Sequence, residues 1–230
     1  MGGAIAEAAA RRGAQIAITF NRSRENAEAI VGRLGAAGTA AAAFAVDVAD
    51  ADAITRLVAD VRDRLGRIDV LVNMASLYER TPLATVDPSV WKRNLDIELR
   101  AAFLLALQAA PELRRHGSGR IVNFADWLAA SGRPRYSGYL PYYVAKSGII
   151  GLTQGLALEL APEILVNAIA PGPILKPADL PATEDEQVLR ETPLRRWGGV
   201  REVVKTVLFL IETDFITGEC IRVDGGRHLY

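Results

Sequence analysis

The sequence predicts an α/β protein, a doubly wound parallel sheet with helices on both faces, and three observations predict it. Short apolar runs alternate with longer helical patterns along the whole 230 residues. The runs are close to continuously apolar, as strands covered on both faces must be. Asn21, Asp47, Asn73, Asp126 and Pro171 fall just after them, at the carboxyl ends of strands where such sheets bind their ligands.

Each element follows from this alternation. The first run, 15–20, is entered through Gly13 and left at Asn21. Similar runs at 42–46, 70–73, 120–124, 166–170 and 220–223 are the further strands. Helices are expected at 25–37, 51–65, 88–115, 142–160 and 200–212, since parallel strands need crossover connections long enough to hold one. Pro171, Pro173, Pro177, Pro181 and Pro193 break the pattern over 171–199, which keeps one short helical candidate at 184–191. Proline narrows what such a connection can sample, and its place after the 166–170 strand makes it a lid over the site or an irregular crossover.

Composition bounds the function. A chain of this length fits one domain, 1–230. Lys plus Arg equals Asp plus Glu at 27 each, so no bulk field draws the protein to nucleic acid or membrane. No apolar stretch approaches the roughly 20 residues of a spanning helix, and the first residues lack the blocks of a signal peptide. A cytoplasmic protein acting on a small molecule is expected. The lone cysteine, Cys220, cannot close an intramolecular disulfide and reads as a strand residue. No His, Cys or carboxylate cluster has metal-ligand spacing. His116, beside Gly117, reads as a cation at a helix carboxyl end.

Tyr142 and Lys146 carry the most chemistry. Four residues is one helical turn, so phenol and ammonium share a face. A tyrosine has a reference pKa of about 10, and a neighbouring cation favours its phenolate and makes it a better proton donor. Such a pair suits protonation of a carbonyl or imine.

With the strand-end residues beside this pair, the chain resembles the short-chain dehydrogenase/reductase family from end to end. The matching segments are Tyr142-x-x-x-Lys146, Asp47-Val48 after a strand, Asn73-Met74-Ala75-Ser76, Pro171-Gly172-Pro173-Ile174 and Val223-Asp224-Gly225-Gly226. The resemblance implies a Rossmann-like fold, a nicotinamide cofactor and a homotetramer built through the 88–115 and 142–160 helices. It makes Tyr142 the proton donor and has Lys146 bind the nicotinamide ribose and lower the tyrosine pKa. It places Asn73, Ala75, Pro171, Gly172 and Ile174 around the cofactor and has Asp47 and Val48 flank the adenine. At the end of the first run, Asn21-Arg22-Ser23-Arg24 holds no acid to bind a ribose diol, while guanidinium and hydroxyl donors favour an extra phosphate. The cofactor expected is therefore NADP(H).

Three departures from the family pattern sharpen the reading. Asp126 stands where the family has a serine that holds the substrate carbonyl, and a carboxylate accepts from ring N–H and amino groups but repels an oxyanion. The chain thus looks like the bacterial pteridine reductases, those acting on dihydromonapterin or dihydrofolate, in which Ser76 would supply a hydroxyl and Tyr78 a ring against a pterin-like substrate. The Asp126 to Tyr142 segment is longer than the family's, with the extra length in 131–141, and Trp127 is a second candidate to fill the pocket. Glu98 replaces an asparagine that anchors a water, and either orders water or pairs with Lys146. Asn94 is set aside as its substitute on register. Finally, Met1-Gly2-Gly3 matches only the end of the family's glycine turn, so the first, central strand is missing and Gly2 is a remnant of the phosphate-binding turn. That favours a start assigned too late.

The leading expectation is an NADPH-dependent reductase of a pterin-type C=N bond that uses Tyr142, Lys146 and Asp126. The alternatives are an oxoacyl or ketone reductase of the same family, and a silent binding or assembly protein. Arg227, His228 and Tyr230 are expected in a disordered tail, or reaching a neighbouring subunit.

Overall fold

A computed structural model describes all 230 residues. In chain order the elements are α1 (Gly2–Ala10), β1 (Ile16–Phe20), α2 (Arg24–Ala36), β2 (Ala41–Ala45), α3 (Ala51–Leu65), β3 (Val70–Asn73) and α4 (Pro88–Leu95). After a π-helical turn (Asp96–Arg100) come α5 (Ala101–Arg114), β4 (Gly119–Phe124), α6 (Trp127–Ser131), α7 (Leu140–Leu160), β5 (Ile164–Pro171), α8 (Ala182–Arg190), α9 (Val200–Glu212) and β6 (Cys220–Val223). Local chemistry sets several of these bounds. Asp50 caps α3 by accepting from the N–H groups of Asp52 and Ala53, and Gly66 ends the helix at φ 84°. Asp87 caps α4 in the same way, with Pro88 preset for the first turn.

Every strand pairing is parallel, and the strands form two sheets, β1-β2 and β3-β4-β5-β6. Alternation along β4 builds a core on each face. Ile121 packs with Ala106, Ala109 and Ala110 of α5 and Ala157 and Leu160 of α7. Its neighbours Val122 and Phe124 pack on the opposite face with Val203, Val207 and Leu210 of α9. Ile5 of α1 joins that second core, while Ala6 of α1 packs with Ile16 and Leu34 near the β1-β2 sheet. One short helix therefore bridges the two sheets.

The glycines read as a turn remnant form the first turn of α1. Three expectations change. The single helix expected over 88–115 is two helices joined by a π turn, whose extra residue rotates the following side chains and points Glu98 inward. Asn94, set aside on register, is also inward, because it precedes that rotation; its Nδ2 donates to Val90 O at 3.0 Å. The tail is ordered: residues 227–229 form a 3-10 turn, and Arg227 is buried.

Candidate active site

The carboxyl ends of β3, β4 and β5 converge on the amino-terminal turns of α7. Asp126, just past β4, is the N-cap of α6, its Oδ1 accepting from Leu128 N–H at 2.8 Å. That bond turns Oδ2 toward α7, where it accepts from the Tyr142 hydroxyl at 3.0 Å. One turn on, Lys146 Nζ lies 5.7 Å from the centre of the Tyr142 ring and donates to Phe124 O at 2.7 Å. The same ammonium sits 3.0 Å from Glu98 Oε2 in a pair sealed from solvent, the two side chains 4% and 0% exposed. Glu98 Oε1 accepts from Ser76 Oγ at 2.9 Å and from Leu77 N–H. The Ser76 hydroxyl, expected to meet substrate, is thus directed at Glu98.

The electrostatics differ from the sequence expectation. Burial pushes the Tyr142 phenol well above the ordinary tyrosine range, and the charges of Asp126 and Glu98 push it further. Lys146 was expected to lower it, but its charge is shared with the carboxylate it faces. Burial also raises Asp126, against the bonds from Leu128 N–H and Tyr142 and the Lys146 charge.

Two loops cross above Tyr142. Tyr78 stacks on Tyr139 with ring centres 5.3 Å apart and meets Tyr142 edge-on at 5.2 Å. Tyr78 takes a left-handed backbone, φ 46°, a conformation held here by its neighbours: Thr81 N–H donates to Gly138 O at 2.6 Å, and Arg80 lies against Gly138. Below lies a cavity lined by Asp126, Tyr136, Tyr139, Tyr142, Tyr143 and Lys146. Its roof is the insertion near 131–141 rather than the proline-rich 171–199 segment. That segment is tied in through Arg227, which donates to Val188 O at 2.9 Å, Glu191 Oε2 at 3.1 Å and the Tyr136 hydroxyl at 2.7 Å. Trp127 packs against Arg227 and Arg135 and does not line the cavity. Sequence reasoning missed Tyr139 and Tyr136; two tyrosines three and six residues before Tyr142, in a Gly/Pro-rich insertion, were the available signal.

Most of the residues expected around a dinucleotide lie just past the carboxyl ends of strands. Asn73 Nδ2 donates to Asn123 Oδ1 at 2.8 Å, leaving Asn73 Oδ1 buried with no partner, an acceptor free for a ligand. The Gly2 and Gly3 N–H groups precede the first α1 bonds, made by Ala4 and Ile5 to Met1 O, and offer donors at a helix start. Beyond β1, Arg22 and Ser23 are exposed, while Arg24 pairs with Glu28 at 3.2 Å. Exposed Asp47 accepts from Ala49 N–H at 3.0 Å, with half-buried Val48 beside it and exposed Ala75 following Asn73 on β3. Pro171 ends β5, Gly172 abuts Asp224 so closely that a Cβ would lie 2.6 Å from the Asp224 Cβ, and Ile174 is buried. Helix-end donors, a guanidinium with a hydroxyl, and an orphaned buried acceptor together fit a phosphorylated dinucleotide.

Comparison with known proteins supplies the remaining findings. The sequence model of a family described as enoyl-(acyl carrier protein) reductase matches residues 1–228. The 3-oxoacyl-[acyl-carrier-protein] reductase FabG of Staphylococcus aureus is 35% identical over 234 residues, covering 100% of this chain and 94% of that protein. The crystal structure of FolM alternative dihydrofolate reductase 1 from Brucella canis, complexed with NADP, superposes with a TM-score of 0.91 at 33% identity, covering 100% of this chain and 90% of that one. A blue fluorescent protein from a metagenomic library, in complex with NADPH, gives 0.90 at 33% identity over 98% and 92% of the two chains.

Proposed function

The chain belongs to the short-chain dehydrogenase/reductase family, and from that premise we propose that it is an NADPH-dependent reductase of a pterin-like C=N bond. The observation that carries this reading is Asp126, a carboxylate rather than a hydroxyl, in a 3.0 Å hydrogen bond with Tyr142.

The Gly2 and Gly3 N–H groups with Arg22 and Ser23 would hold the phosphates, Asp47 and Val48 the adenine, and Asn73, Ala75, Lys146, Pro171, Gly172 and Ile174 the nicotinamide end. NADPH held there would supply the hydride. Tyr142 passes its phenolic proton to the substrate nitrogen. Asp126 accepts from ring N–H and amino groups while ionised and, its proton affinity raised by burial, takes up a solvent proton after product leaves and passes it to the phenolate. Tyr78 and Tyr139 present aromatic faces to a flat ring. The NADP-bound FolM structure supports this reading.

FabG relatives support a second one, reduction of an oxoacyl thioester. A carboxylate beside Tyr142 counts against it, because it would oppose the growing oxyanion. NADPH oxidation with dihydrobiopterin or dihydrofolate, set against an acetoacetyl thioester, separates the two. Asp126→Ser is expected to lower kcat/KM for the pterin about tenfold or more while leaving NADPH affinity in place. Equal pterin turnover in that variant would remove the argument. The homotetramer also belongs to this reading: Phe103 and Leu107 on α5 and Val144 and Leu158 on α7 are exposed apolar residues on the helices the family uses for assembly.

A further inference from the structure

Around Tyr142 the balance of charge differs from the family pattern by two residues. With a serine at position 126 and an asparagine at position 98, the ammonium of Lys146 would face the phenol with no carboxylate beside it; the other cation lining the cavity, Arg135, is only half-buried and lies over Trp127. Here Asp126 Oδ2 meets the phenol at 3.0 Å and Glu98 Oε2 meets the ammonium at 3.0 Å. The buried cation beside the phenol now faces two carboxylates. Burial makes this count matter, since Glu98 and Lys146 are 2% and 3% exposed and water does little to screen them. Glu98 is also firmly placed. The π turn aims it inward, Ser76 Oγ and Leu77 N–H hold Oε1, and the Ser76–Leu77 segment leads directly into Tyr78 of the roof.

We propose that Glu98 is a specificity-determining residue: by cancelling the Lys146 charge it leaves Asp126 uncompensated beside the proton donor, and so selects C=N electrophiles that react as cations over neutral ketones. This rests on the reductase reading above and names its substrate class. When hydride adds to a ketone, a C–H bond forms and the C=O π pair moves to oxygen, which carries negative charge until a proton arrives. Two carboxylates oppose that charge. When hydride adds to a protonated imine, the C=N π pair becomes the nitrogen lone pair and the positive charge disappears, leaving an amine. Net negative surroundings raise the proton affinity of a bound imine and so favour its reactive form.

The test compares the intact wild-type protein with Glu98→Gln, which removes the charge and keeps the shape, and with Glu98→Asn, which restores the family residue. Calorimetry measures binding of N-methyl-dihydroisoquinolinium, a permanent cation, against tetralone, a neutral ketone of similar shape. Turnover of dihydroisoquinoline against tetralone with NADPH gives the kinetic counterpart. Wild type should prefer the cation, and both variants should reduce the cation-to-ketone ratio about tenfold or more, in affinity and in kcat/KM. If Glu98→Gln does not fold by circular dichroism, Glu98→Asn decides alone. An unchanged cation-to-ketone ratio, or equal losses on both probes, would show a merely structural Glu98 and overturn the proposal. A wild type that oxidises NADPH with neither these probes nor dihydrobiopterin or dihydrofolate would remove the reductase reading, while the affinity ratio would still decide Glu98.

Discussion

At the scale of single residues the site is governed by what burial does to charge. Tyr142 and Lys146 were legible because a four-residue step on a helix fixes which side chains share a face. Whether Glu98 orders water or pairs with Lys146 was left open by the sequence, because the two lie 48 positions apart, and the fold brings them together in a buried ion pair. Asp126 shows the consequence for pH. Burial raises its pKa in the folded protein above the unfolded value, so between those values the native state binds more protons. Stability then falls as pH rises through that window, and the cost is complete above the folded pKa. Asp126→Asn lacks this titration. Its melting temperature relative to wild type should therefore shift upward as pH increases from about 4 toward neutrality, as scanning calorimetry across that range would show; a difference independent of pH would contradict the assignment.

At the scale of elements, the strands and long helices followed from apolar runs and helical spacing, with boundaries displaced by only a few residues. The elements that shape the pocket did not. The five-residue α6 depends on Asp126 as its cap, and the roof depends on a backbone bond between loops near 80 and 138. Such contacts join positions far apart in sequence and leave no periodicity to read. Arg227 is the clearest case, a tail residue in sequence and a buried tie between α8, the insertion loop and Trp127 in the fold. Arg227→Ala should cost about 1–3 kcal/mol in urea unfolding, because it removes the hydrogen bonds to Val188 O, Glu191 and the Tyr136 hydroxyl together with the packing on Trp127. The same variant should be cleaved faster in limited proteolysis near 132–139 and 171–199. Unchanged cleavage would show that the tie does not hold the roof.

At the scale of the whole molecule, two parallel sheets are held together across α1. Ile5 enters the core on the α9 face while Ala6 packs with Ile16 and Leu34. Truncating Ile5 to alanine should cost about 2–4 kcal/mol by leaving a cavity at that bridge. It should also separate unfolding of the β1-β2 layer from that of the four-stranded sheet. Trp91, Trp127 and Trp197 all lie beyond β3 in the chain, so tryptophan fluorescence should report a later urea midpoint than far-ultraviolet circular dichroism; coincident midpoints would mean one cooperative unit. The α/β alternation, the strand-end positions of the candidate ligand residues and the Tyr142/Lys146 face were determined by the sequence alone, because each is a local property of spacing and hydrophobicity. Tertiary structure alone decided that Glu98 pairs with Lys146, that Ser76 serves Glu98, and that the insertion with Tyr139 forms the roof. Charge compensation and loop contact join distant parts of the chain, and only packing at low dielectric gives them their strength.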